Sequence, residues 1–119
     1  MRKVFLLAIT VLLVNACAIQ TPKQTSGGPA ETLIAQADQF VANGDNSQAI
    51  ALLDRAVRIE PRNGYAWLHL ARLHFASGDL NKAEQFARRA MQVAGGDKAL
   101  LRESQAMIEK IRLQSRETG

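Results

Sequence analysis

Cys17 is the only cysteine in the 119-residue chain, so its thiol has no disulfide partner within it. It follows an apolar run, residues 4–14, that is interrupted only by Thr10 and is preceded by Arg2 and Lys3. Small Ala16 stands directly before it. A charged start, an apolar stretch and a small residue are the parts of a secretory signal. Cutting after Ala16 leaves the thiol at a new N-terminus, where acylation is its simplest use. The other groups with chemical potential do not assemble. His69 and His74 are five residues apart, which places them on different faces of one helix and misses the four-residue spacing of a helical zinc pair. His74 reads as core-facing and His69 as a surface residue. No helical frame brings Ser, His and Asp together as a triad. The chain reads as non-catalytic, with no metal and no cofactor beyond a covalent lipid on Cys17.

The apolar stretch falls short of the roughly 20 residues that a helix needs to span a bilayer, which argues against a permanent transmembrane anchor. Val14, Asn15, Ala16 and Cys17 resemble a lipobox, in which Leu, a small residue and Ala or Gly precede the cysteine; Asn15 is the departure. The resemblance implies a signal peptide over 1–16 and a mature chain that begins at lipidated Cys17. Removing 16 of 119 residues leaves 103, one small domain at most, and takes the formal charge from +4 to +2. That balance, without a nucleic-acid motif, gives no reason to expect a nucleic-acid partner. In lipoproteins an Asp after the cysteine favours the inner membrane, whereas Ala18 resembles the outer-membrane class. The expected location is therefore the outer membrane, lipid-anchored, with the domain in the periplasm. Residues 17–29 are rich in Gln, Thr, Pro, Ser and Gly and read as a flexible tether. Its 11 residues from Ile19 to Pro29 reach at most about 40 Å.

The elements that follow repeat at a period of 34. Residues 30–63 and 64–97 align without a gap: Ala37 returns as Ala71, Gly44-Asp45 as Gly78-Asp79, Ala49 as Ala83, and Arg55-Ala56 as Arg89-Ala90. Helical spacing of Leu33, Ala37 and Phe40, and of Trp67, Leu70, Ala71 and His74, predicts two short amphipathic helices per repeat. Gly44 and Gly78 suit the left-handed residue that ends a helix, and Asp45 and Asp79 suit the cap of the next. Pro61 ends the second helix, Asn63 caps the third, and Gly95-Gly96-Asp97 repeats the pattern. Residues 98–119 carry Leu101, Ser104, Gln105, Ile108 and Ile111 at helical spacing, with Leu100 and Met107 beside them. That segment is expected to cap the array.

Leu33, Ala37, Phe40, Gly44, Ala49, Ala56 and Pro61, with Trp67, Leu70, Ala71, Gly78, Ala83 and Ala90, resemble the tetratricopeptide repeat pattern. The second repeat departs at His74 and Gly95, where the family has an aromatic and a proline. The resemblance implies an all-α helix-turn-helix solenoid of two repeats plus a capping helix. It also implies a concave partner-binding face, carried here by Glu31, Ile34, Asp38 and Val41 from the first repeat and Tyr65, Leu68, Arg72 and Phe75 from the second. Tyr65, Leu68 and Phe75 form a second apolar stripe beside the core stripe, and a helix needs only one for its own core. The final helix or a homodimer would be the alternative cover. Together with 56–63 and 67–71, the combination of lipobox and small repeat domain is similar to the Lpo-type activators of class A penicillin-binding proteins. Activation of such a synthase in peptidoglycan synthesis is the expectation that follows. An assembly adaptor for a secretin or pilus machine, or a structural homodimer, remains the alternative.

Overall fold

The computed structural model describes residues 27–119. The expected signal segment 1–16, Cys17 and most of the tether lie outside the described residues. Five α-helices follow one another: α1 (Pro29–Ala42), α2 (Asn46–Ile59), α3 (Gly64–Ala76), α4 (Leu80–Val93) and α5 (Lys98–Thr118). No strand occurs among the described residues.

Each helix after the first begins at a side chain that satisfies an otherwise unpaired backbone donor. Asp45 Oδ1 accepts from the Gln48 amide at 3.1 Å, Asn63 Oδ1 from Ala66 at 3.3 Å, Asp79 Oδ1 from Lys82 at 3.1 Å, and Asp97 Oδ1 from Leu100 at 2.9 Å. Gly28 has no side chain to offer α1. There Glu60 Oε1, from the end of α2, accepts from the Ala30 amide at 3.3 Å and closes the first hairpin. The hairpins turn at Gly44 and Gly78, whose φ of 79° and 83° would strain any residue with a Cβ. The amide of the following aspartate reaches back to the helix, Asp45 to Phe40 O and Asp79 to His74 O, both at 2.9 Å.

α1 packs on α2 and α3 on α4, and the two hairpins stack through α2 and α3. Two apolar clusters result. One joins Leu33, Ala37, Ala49, Leu53, Ala56 and Leu70; the other joins Leu68, Ala71, Ala83, Ala87 and Ala90 to Leu100, Met107, Ile108 and Ile111 of α5. Alanine makes up the buried face of α4 and half of that of α2, which lets the backbones of each pair approach closely. Trp67 and Phe86 bridge the clusters, with ring centroids 5.8 Å apart and planes at 28°. The Trp67 indole donates to the Pro61 carbonyl at 2.8 Å, so this half-buried ring keeps its polar handle satisfied.

Two details depart from the sequence reading. Phe40, expected in the core, is 36% exposed and joins neither apolar cluster. The buried stripe of α5 is Leu100, Ser104, Met107, Ile108 and Ile111, with Gln105 exposed: the helix is rotated so that Leu100 and Met107 point inward. Ser104 is fully buried and its hydroxyl has no partner within the structure.

Candidate partner-binding surface

The expected concave face draws on α1 and α3, and the structure separates its members into two environments. On α1, Asp38 and Val41 stay exposed, Val41 at 40%, while Ile34 is half-buried against the first cluster. On α3 the situation differs: α5 contacts that helix as α3 contacts α1, but it brings Leu100 where α3 brings Ala66. Leu68 is fully buried beneath it, in the cluster with Leu100 and Ile111. Leu68 is therefore a core residue, and neither a partner nor a second copy of the chain has access to it. The second apolar stripe of α3 exists because α5 needs it.

The rest of the α3 ridge is tied to α5 by polar contacts. The Tyr65 hydroxyl donates to Asp97 Oδ2 at 3.0 Å. Arg72 Nη2 donates to Glu103 Oε2 at 2.6 Å, an exposed pair worth at most about 1 kcal/mol. Phe75 is half-buried, with the Lys110 ammonium 4.9 Å from its ring centroid. Accepting the Leu100 amide, and then the Tyr65 phenol, holds the Asp97 carboxyl below its usual range. The same hydrogen bond pushes the Tyr65 phenol up.

His69 lies across the groove from α1, where its Nδ1 is 3.1 Å from Asp38 Oδ1. It was expected on the surface, yet its side chain is only 23% exposed. Burial lowers its pKa and outweighs the opposite pull of Asp38, while nearby Arg72 adds to the lowering. Near neutral pH the contact thus joins a neutral imidazole to a carboxylate. Position 69 is flanked by Leu68 and Leu70, and a helical wheel alone gives no sign that Asp38 stands opposite. The groove therefore carries a polar chain of Asp38, His69, Arg72 and Glu103 across α1, α3 and α5, with apolar Ile34 and Val41 at its open edge.

His69 makes the domain sensitive to acid. Its folded-state pKa lies below the ordinary value of 6.5, so the unfolded chain binds the proton more tightly and stability rises with pH. The contribution is complete above the unfolded value and is lost as pH falls toward the folded one. Urea midpoints measured between about pH 7 and pH 5 should fall more for the wild type than for His69→Gln; parallel curves would exclude this assignment. His74, expected to face the core, sits against the Phe86 ring at 5.2 Å, and its side chain is 13% exposed. Among the described residues no group of three or more His, Cys, Asp or Glu is arranged to hold a metal.

Helix hairpins that recur at a fixed period, stacked with alternating cores and a groove-facing first helix, define a protein-binding repeat solenoid. The chain belongs to the tetratricopeptide repeat family, whose model matches residues 40–108. It is similar to the globular C-terminal domain of LpoP from P. aeruginosa, at 36% identity with a TM-score of 0.71, covering 75% of this chain and 84% of that one. A tetratricopeptide repeat domain protein from Salinibacter ruber shares the fold at 23% identity, with a TM-score of 0.67 and coverage of 71% and 97%. A comparison with curated proteins finds no match.

Proposed function

We propose that this chain is an outer-membrane lipoprotein, anchored through Cys17, whose repeat domain binds and activates a class A penicillin-binding protein in peptidoglycan synthesis. The observation that carries this reading is the likeness to the LpoP domain, at 36% identity over 84% of that domain. The lipobox-like sequence before Cys17 and the tether after it support the same reading, since they would hold the domain in the periplasm. No described helix is long and apolar enough to cross a membrane. The domain supplies no reacting group; activation is a population shift in which it prefers the active synthase conformation.

On this reading the contact surface is the part of the groove that α5 leaves open, Ile34, Asp38 and Val41, continued by the exposed sides of Tyr65 and Arg72, which α5 holds in place through Asp97 and Glu103, and by the edge of Phe75. The apolar residues supply buried area and Arg72 gives direction by pairing with a carboxylate. Pull-down of residues 27–119 with class A synthases, followed by glycan polymerisation assays, tests it. The wild type should bind and stimulate, and Val41→Asp should weaken binding on the order of tenfold or more with its melting curve unchanged. Absence of stimulation by the wild type removes the reading. A Val41→Asp protein as active as wild type moves the contact off this groove.

A further inference from the structure

The repeat register does not stop at the second hairpin. Asp97 caps α5 as Asn63, one period earlier in the chain, caps α3. Carried forward, the α3 positions Trp67, Ala71 and His74 become Leu101, Gln105 and Ile108 on α5. In α3 this face receives the second helix of the hairpin, as the Trp67 and His74 contacts with Phe86 of α4 show. α5 is thus the first helix of a third repeat. No hairpin turn forms at the repeat position, because Arg112 stands where Gly44 and Gly78 make the turn, and α5 runs on as a single helix to Thr118.

The seat of the absent second helix is open. A cleft of about 590 Å³ lies between α4 and α5, lined by Arg88, Met91, Arg102, Gln105, Ala106, Ile108, Glu109 and Arg112. Its floor is apolar, from Met91, Ala106 and Ile108. Three arginines and one glutamate surround it, which makes the rim basic. Arg88 pairs with Glu84 along α4 and Arg112 lies 4.0 Å from Glu109, both in exposed pairs, while Arg102 makes no ion pair among the described residues.

We infer that this cleft is a second docking surface, which receives an acidic amphipathic helix of a protein partner as the missing helix of the third repeat. Its shape selects a helix with small residues at the contact, as Ala49 and Ala56 of α2 and Ala83 and Ala90 of α4 provide in the completed hairpins. Its rim selects carboxylates on the flanks of that helix. Charge argues against the other occupants. A second copy meeting this one through α5 would set Arg102 and Arg112 against the same arginines, a like-charge contact. The chain's own segment 18–26 has Lys23 and no acidic residue. The docking surface shares α5 with the concave groove but uses other side chains, and the inference stands whether or not the groove partner is a synthase.

Two amidated, helix-forming peptide probes test it, sharing alanines seven residues apart and an apolar stripe, one flanked by Glu and the other by Lys. Each carries a photoreactive benzoylphenylalanine on the stripe. Binding to the full chain in detergent is read by fluorescence anisotropy against a detergent blank, and crosslinks are mapped by mass spectrometry. The Glu peptide should bind saturably, at least about tenfold tighter than the Lys peptide, and crosslink at Met91 or Ala106. The double variant Arg102→Glu/Arg112→Glu should reverse the preference. Ala106→Trp, a change at an exposed position that fills the floor, should abolish binding of both with the melting curve retained. Equal binding of the two peptides, crosslinks confined to Ile34 and Val41, no saturable binding at all, or concentration-dependent self-association that Arg102→Glu/Arg112→Glu strengthens would each overturn the inference.

Discussion

Leu68→Ala is expected to destabilise the domain by about 2–5 kcal/mol, the range for truncating a fully buried leucine when the surroundings cannot collapse into the space. Total stability of a domain is only about 5–15 kcal/mol, so the variant should approach the edge of folding. The loss arises at the α3–α5 contact, where Leu68 has no exposed surface and shares a cluster with Leu100, Met107, Ile108 and Ile111. Alanines at 71, 83, 87 and 90 already line that cluster. Methyl groups fixed on helix backbones have no rotamers with which to fill a new cavity. Val41→Ala is the matched control, since Val41 is 40% exposed on α1 and should change stability within about 0.5 kcal/mol. Urea unfolding followed by circular dichroism measures both. If Leu68→Ala behaved like Val41→Ala, α5 would not be seated on α3 in solution, and the open groove expected from the sequence would return.

That contrast marks where residue spacing stops being informative. The helix ends were legible because their signals are local: a glycine with positive φ and an aspartate or asparagine accepting from an amide three residues on are decided within one turn. The pairing of hairpins was legible because the same residues return at a fixed period. What an exposed-looking ridge faces is a different kind of question. Leu68 and Ile34 occupy the same place in successive first helices, yet one is fully buried and the other only half-buried: the following first helix brings Leu100 to the cluster of Leu68, but only Ala66 to the cluster that Ile34 borders. The stripe on α5 likewise gave its existence but not its rotation, so Gln105 was placed inward and proves exposed. His69 was missed for the same reason, since its partner Asp38 belongs to another helix and nothing in its own neighbourhood names it. The lipidation expected at Cys17 lies outside the described residues.

The tethered geometry gives these two surfaces different consequences. On the proposed reading, a domain within about 40 Å of the outer membrane must be reached by a partner anchored on the far side of the periplasm. The concave groove and the end cleft share α5, the groove joining α1 and α3 to Glu103 and the cleft lying between α4 and α5. A partner that presents both a surface and a helix would gain avidity by engaging them together, since the second contact is then intramolecular.

Gly64→Leu should cost about 1–3 kcal/mol by prying α5 away from α4, while Gly64→Ala should be close to neutral. Gly64 opens α3 and is buried, and a Cβ built there would collide with Leu100 Cδ2 and lie 3.2 Å from the Ala90 carbonyl oxygen and 3.3 Å from Val93 Cγ2. The nearest of these is the far end of a flexible side chain and can swing aside for one methyl group. Exchanging Gly for Ala where the backbone suits both also gains roughly 0.4–1 kcal/mol by restricting the unfolded chain, which offsets the crowding. A leucine has no such escape, because the backbone oxygen of Ala90 and the branched Val93 close the remaining directions. The repeat explains the arrangement: the equivalent pair in the preceding repeat is Ala30 and Ala66, both fully buried, so the second repeat has given up a methyl group on one side where Leu100 adds bulk on the other. Crowding between these two positions then predicts coupling. In a double-mutant cycle followed by thermal unfolding, Gly64→Leu should cost less in a Leu100→Ala background than in the wild type, since each change relieves the other. Strictly additive costs would place the strain at Ala90 and Val93 instead, and leave Leu100 free to accommodate whatever occupies position 64.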